Sequence, residues 1–219
     1  MSINPSKNYI SRNYKVTEFS GIDISTVGDV YYTQSTDGET KLEIYGPDNI
    51  IELIEVSIEN NTLYLSMEKK NRVKNVKKMK IMITTPDLKD ITFNGVGNVN
   101  IENGLTTTTL NIGHHGVGDI NIKGLSANEL STNSTGVGNA RLSGEVSRAI
   151  LNSRGVGNID ADELKAGSVE AAARGVGNIT CYATESISAS VDGVGSIKYK
   201  GSPADKRISK NGIGSIKQL

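Results

Sequence analysis

The chain has 219 residues with 24 Lys+Arg against 24 Asp+Glu, so its formal net charge is zero and it lacks the basic excess of a nucleic-acid binder. One cysteine, Cys181, excludes a disulfide framework, and two adjacent histidines, His114 and His115, leave little material for zinc or general acid–base chemistry. Residues 1–20 are polar, without the apolar core of a signal peptide, and no apolar run reaches the ~20 residues that a membrane-spanning helix needs.

In chain order, the first elements are short and β-rich. Ile22, Ile24 and Val27-Gly28-Asp29-Val30 form a degenerate copy of a glycine turn that recurs later. Lys41 to Tyr45, Glu55 to Ile58, Leu63 to Met67 and Lys80 to Ile83 read as strands, and Pro47 to Ile51 as the start of a short helix. Glu59-Asn60-Asn61-Thr62 has the composition of a hairpin turn. Between Glu68 and Lys80 stand seven basic residues (Lys69, Lys70, Arg72, Lys74, Lys77, Lys78 and Lys80), a solvated or lysine-protected edge in one reading and a contact patch for an acidic glycan or anionic lipid in the other. Residues 1–90 are expected to form irregular coils that cap one end of a more regular structure over 91–219.

That regular part announces itself through glycine. Residues 1–90 hold four glycines and residues 91–219 hold twenty. Gly-Val-Gly or Gly-Ile-Gly begins at Gly95, Gly116, Gly136, Gly155, Gly175, Gly193 and Gly212, at intervals of 21, 20, 19, 20, 18 and 19 residues. A fixed period of this kind marks a repeat architecture. A small polar residue follows each pair: Asn98, Asp119, Asn139, Asn158, Asn178, Ser196, Ser215. Beyond it an apolar, polar, apolar triplet, such as Ile120-Asn121-Ile122, carries the period-two alternation of a strand. A second alternating segment precedes each pair, as in Leu110 and Ile112, or Ala149 and Leu151.

Each unit is therefore strand, turn, strand, turn in about twenty residues. Such a unit cannot bury a face alone, but stacked coils can. The spacing predicts an all-β parallel solenoid (β-helix), two strands per coil, with a right-handed winding expected. Propellers need about forty residues per blade, and a hexapeptide helix needs a six-residue period that is absent. The valines between the glycines, Val156 among them, are expected inside the tube or packed at its corner. Stacked Asn side chains are expected to hydrogen-bond to one another up their column.

The repeats do not make a phosphate loop, because strands rather than a helix follow and the third glycine is missing. His114 and His115, as strand neighbours, point to opposite faces and cannot both ligate one metal. Cys181 shares a column with Ile101, Ile122 and Leu142 and is expected as a buried thiol. No column offers converging ligands, so neither metal nor cofactor is expected. The outward column Asn100, Asn121, Arg141, Asp160, Thr180, Lys198, Lys217 carries no repeated pair of carboxylates, so glycoside hydrolysis lacks its two acids. The one irregular polar grouping, Arg141, Arg154, Asp160 and Arg174, is the expected contact zone.

Phe19-Ser20-Gly21-Ile22, Ile24 to Tyr31 with Gly28-Asp29-Val30, Asn61-Thr62-Leu63, Pro86-Asp87-Leu88 and the seven glycine repeats together resemble the head GIN domain family of auto-transporter adhesins, over roughly residues 14–219. The commoner family repeat is Gly-Ser-Gly-Asp; here Val replaces Ser. The resemblance implies a pectin-lyase-like β-helix without catalytic residues, export to the cell surface or periplasm with the leader trimmed, and a homo-oligomer, with a trimer as its form. It implies adhesion to a host or cell-surface glycan or protein. The alternative is a carbohydrate-active β-helix, a lyase or hydrolase of acidic glycans.

Overall fold

The computed structural model describes residues 2–68 and 72–219, and it is a parallel β-solenoid with coils of about 20 residues. The interior is set by register. Leu110, Leu130, Ala149, Val169 and Ile187 pair in succession on the strands before the glycine turn. Ile120, Ala140, Ile159, Ile179 and Ile197 do so on the strands after it. All ten are buried. Parallel in-register stacking brings like residues together at about 4.8 Å, so one apolar choice per coil becomes a continuous ladder.

Where the chain runs 99–114 and 194–210 the second corner is the expected break between strands, with Gly104 and Gly201 at positive φ, but in the four coils between them it is not a separate turn. Ile120–Ser134, Ala140–Ser153, Ile159–Ala173 and Ile179–Val191 are each one strand running around it. The bend is taken up by register shifts, between Ile122 and Leu125 and between Arg141 and Ser143. A β-bulge adds a residue and bends the strand without giving up its hydrogen bonds on either side.

The valines between the glycines are outside, contrary to the expected inward position. Val156 is 53% exposed, and the residues from Val27 to Val194 form a chain of parallel bridges along one outer corner. The glycines explain this. A Cβ on Gly155 would run into the carbonyl oxygen of Gly136, and one on Gly157 into that of Gly138. Gly157 also has φ +140°, which side chains other than hydrogen rarely tolerate. Backbone therefore fills the inside of the corner, and the residue between the glycines can only point out.

The irregular N-terminal part follows an order that the sequence does not suggest. Gly21–Ser25 lies between Thr62–Met67 and Asp90–Phe93, and Asp29–Gln34 lies between Lys80–Thr85 and Val99–Ile101. The chain lays down its second coil first, steps back to make the terminal coil from Thr62–Met67 and Lys80–Thr85, then crosses to continue on the other side. Antiparallel strands close that end: Ile54–Glu59 on Thr62–Met67, Lys41–Pro47 on Lys80–Thr85, and Tyr9–Tyr14 on Lys41–Pro47. The short helix Asp48–Ile51 buries Ile50 and Ile51, and Asn60 and Asn61 take positive φ values of 49° and 58° in the expected hairpin turn. Of the basic stretch, Lys69 and Lys70 lie outside the described residues; Arg72–Val73 pairs with Ser2–Ile3.

Candidate binding face

The strand that follows each of the six glycine turns from Gly95 to Gly193 presents one outward polar residue midway between two buried ones. Register stacks Tyr31, Asn100, Asn121, Arg141, Asp160, Thr180 and Lys198 in a single column. Its members are linked. The Asn100 amide donates to the Val30 carbonyl at 3.3 Å, and the Asn121 amide donates to Asn100 Oδ1 at 3.1 Å. Arg141 Nη1 donates to Asn121 Oδ1 and to Asp119 Oδ2, both at 3.2 Å. Beside this column runs a groove of about 490 Å³, with Asn100, Asn121, Lys123, Arg141, Asp160 and Asp162 among its walls. Asp162 is paired with Lys200 at 3.3 Å.

Arg141 and Asp160 are register partners on adjacent coils and both line the groove. Arg154 and Arg174 stand elsewhere, in the column just before the glycine turn, where Arg174 Nε lies 3.8 Å from Asp192. The turn and its exposed valine separate the two pairs, so the four expected contact residues fall into two zones of the surface.

Aromatic residues at the N-terminal end of this same outer face are not among the contact residues expected from the sequence. Tyr31 neighbours Asn100 on one side and Met82 on the other. Lys80 Nζ lies 6.0 Å from the Tyr31 ring centre, and the Tyr9 and Tyr45 rings are 5.5 Å apart. Their alternation was visible, but their adjacency to the repeat columns depends on the backward step of the chain.

The Asn98-type column is structural. Asn98 Oδ1 accepts the backbone N–H of Asp119, Asp119 Oδ1 that of Asn139, Asn139 Oδ1 that of Asn158, and Asn158 Oδ1 that of Asn178, each at 2.9 Å. The expected side-chain-to-side-chain ladder is thus replaced by a side-chain-to-backbone one. Only an acceptor oxygen is needed, which is why Asp serves as well as Asn.

His114 and His115 point to opposite sides, as strand geometry requires. His114 is buried and stacked on Phe93, 6.0 Å between ring centres, with Nδ1 3.4 Å from Ser134 Oγ. Burial, and then the neighbouring His115, hold its pKa below the ordinary imidazole value. His115 lies outside, its Nδ1 2.5 Å from Thr135 Oγ1. Cys181 is buried in its expected column, and burial pushes its thiol pKa up to about 12. Among the described residues no cluster of His, Cys, Asp or Glu could hold a metal ion.

Residues 18–203 match the family described as "putative auto-transporter adhesin, head GIN domain", and the chain belongs to that family. A solved structure from Bacteroides fragilis, described as a "putative adhesin", is 58% identical, with a TM-score of 0.98 over 99% of this chain and 100% of that one. A Parabacteroides distasonis structure described as a "putative lipid binding protein" has a TM-score of 0.78 at 23% identity, with both chains covered completely, and shares the fold. A "putative adhesin" from the same species has a TM-score of 0.72 at 19% identity, again over the whole of both chains. No curated protein matches the chain.

Proposed function

We propose that this member of the head GIN domain family is an exported surface adhesion module that holds a glycan chain along the face running from Tyr31 through Asn100, Asn121 and Arg141 to Asp160, and does not turn it over. The observation that carries the reading is the linked column of amides and guanidinium beside the groove. Such groups present fixed donors and acceptors to sugar hydroxyls, and Tyr31 offers a ring for stacking. A column repeating at about 4.8 Å suits many weak contacts with a polymer, and display of many copies supplies avidity. The family description and the 58% identical structure support adhesion and surface location.

Catalysis calls for unpaired acids and bases converging on one reacting atom. In the groove Arg141 is engaged by Asp119 and Asp162 by Lys200, so neither is free to act as acid or base. Asp160, Glu102 and Glu163, without ion-pair partners among the described residues, are read as acceptors for ligand hydroxyls.

Glycan-array binding of the intact chain tests the proposal. An Asn121→Ala, Arg141→Ala variant should lose about tenfold or more in affinity, equivalent to ~1.4 kcal/mol. Arg154→Ala, Arg174→Ala should bind as the parent does. Pectate, alginate and glycosaminoglycans incubated with the protein should yield neither new reducing ends nor unsaturated-uronate absorbance. Turnover, or binding that follows Arg154 and Arg174 instead of the groove, would overturn the proposal.

A further inference from the structure

The outer corner of the solenoid carries an apolar rank that the binding face does not use. Val96, Val117, Val137, Val156, Val176 and Val194 are each between 51% and 54% exposed, and Ile213 is 75% exposed. The rank is continuous, because successive members from Val27 to Val194 are bridge partners and Ile213 pairs with Val194. Glycines on both sides leave no neighbouring side chain to cover it. Keeping glycine at the corner explains why the middle residue points outward. It does not explain why that residue is branched and apolar in all seven repeats, since an exposed turn position tolerates polar residues at least as well.

We propose that this rank is a seam along which a second copy of the chain packs side by side and in parallel. Two observations name that occupant. The first is pitch. Residues stacked at the strand spacing of about 4.8 Å meet a matching spacing along their whole length only in another solenoid of the same rise, and an identical rank provides one. The second is the chemistry of the flanks. The column before the turn carries His115, Arg154, Arg174 and Asp192, and the column after it carries Asp119, Asn158, Asn178 and Ser196. A two-fold axis parallel to the solenoid sets the pre-turn column of one copy against the post-turn column of the other at equal height. His115 then faces Asp119, Arg154 faces Asn158, and Arg174 faces Asn178, with no like charges opposed. In the antiparallel arrangement the pre-turn column meets itself, and a rank centred between Val156 and Val176 opposes arginine to arginine.

A standard interface takes about 800 Å² from each partner, more than one rank of valines supplies. The flanking columns must therefore join the contact, and the dimer belongs to the weaker, concentration-dependent class. The symmetry is isologous and closes at the axis, so each valine meets its own counterpart.

Self-meeting makes the test direct. Val117→Cys, Val156→Cys and Val194→Cys are prepared singly in the full chain, with Ser188→Cys, exposed on a different face, as control. The native Cys181 is buried and does not compete. Under mild oxidation all three seam variants should form covalent dimers at least about tenfold faster than the control, because the seam raises their effective concentration. Light scattering of the parent chain should show mass rising with concentration, and Val137→Asp, Val156→Asp should abolish the rise while circular dichroism stays unchanged. Crosslinking no faster than the control overturns the seam. Crosslinking at only one of the three positions overturns its parallel sense. Neither result touches the groove, so glycan binding can stand or fall separately.

Discussion

The Arg141 guanidinium lies 3.2 Å from the Asp119 carboxylate of the preceding coil, although its register partner on the following coil is Asp160. Among the described residues Asp160 is left without an ion-pair partner, on the wall of the groove. Its oxygens are free to accept from a ligand hydroxyl. Asp160→Ala should therefore reduce glycan capture severalfold while shifting stability by no more than about 0.5 kcal/mol, the usual range for a surface substitution. Parallel binding and urea-unfolding measurements separate the two effects, and a large loss of stability would contradict this placement.

Asp119 has two roles that substitution can divide. One oxygen accepts the Asn139 backbone N–H at 2.9 Å, while the other meets Arg141. Asp119→Asn keeps the first and removes an exposed ion pair, so it should cost well under ~1 kcal/mol. Asp119→Ala also strands the Asn139 N–H and should cost about 1–2 kcal/mol more. Equal effects of the two variants in urea unfolding would show that the backbone acceptor is unimportant.

The corner makes a contrasting pair. Gly157→Ala forces a Cβ toward the Gly138 carbonyl oxygen at φ +140° and should destabilise the protein by about 3 kcal/mol or more. Val156→Ser, one residue away but outside, should cost no more than about 1 kcal/mol. Thermal melting of the two variants, monitored at a fixed low protein concentration, should place them several degrees apart. Similar melting temperatures would mean that the corner relaxes more freely than its packing implies.

His114 gives the fold a sensitivity to acid. Its pKa is lowered in the folded state, so between the folded value and the unfolded value near 6.5 the unfolded chain binds more protons. The stability contributed by neutral His114 is fully present above about pH 6.5 and is lost as pH falls through the folded pKa. His115 and Asp119, the nearby ionisable groups, act in opposite senses on it. Urea midpoints should fall between pH 7.5 and 5 in the parent and fall less in His114→Phe. An undiminished slope in that variant would assign the sensitivity to other groups.

Cys181 should resist thiol reagents in the native protein and react only on unfolding. Its thiol is buried, and a pKa raised to about 12 leaves almost no thiolate at neutral pH. Rapid labelling without denaturant would reveal an opening of its coil.

The glycine period and the alternation of Ile120-Asn121-Ile122 and its equivalents determined the solenoid, its coil length, the buried columns and the outward column that carries Asn121, Arg141 and Asp160. These follow from strand geometry, in which one residue's direction fixes its neighbours', and from stacking, which turns a repeat in sequence into a ladder in space. Three things only the tertiary structure decided. Val156 points out because the space inside the corner is taken by the backbone of the adjacent coil, a contact between residues some twenty positions apart. Tyr31 joins the candidate binding face because Thr62–Met67 and Lys80–Thr85 stack beyond Gly21–Ser25 and Asp29–Gln34 rather than after them, an order with no local signal. Arg154 and Arg174 part from Arg141 and Asp160 because the turn between them carries the chain around a corner, and side chains close in sequence diverge wherever the backbone bends between two faces.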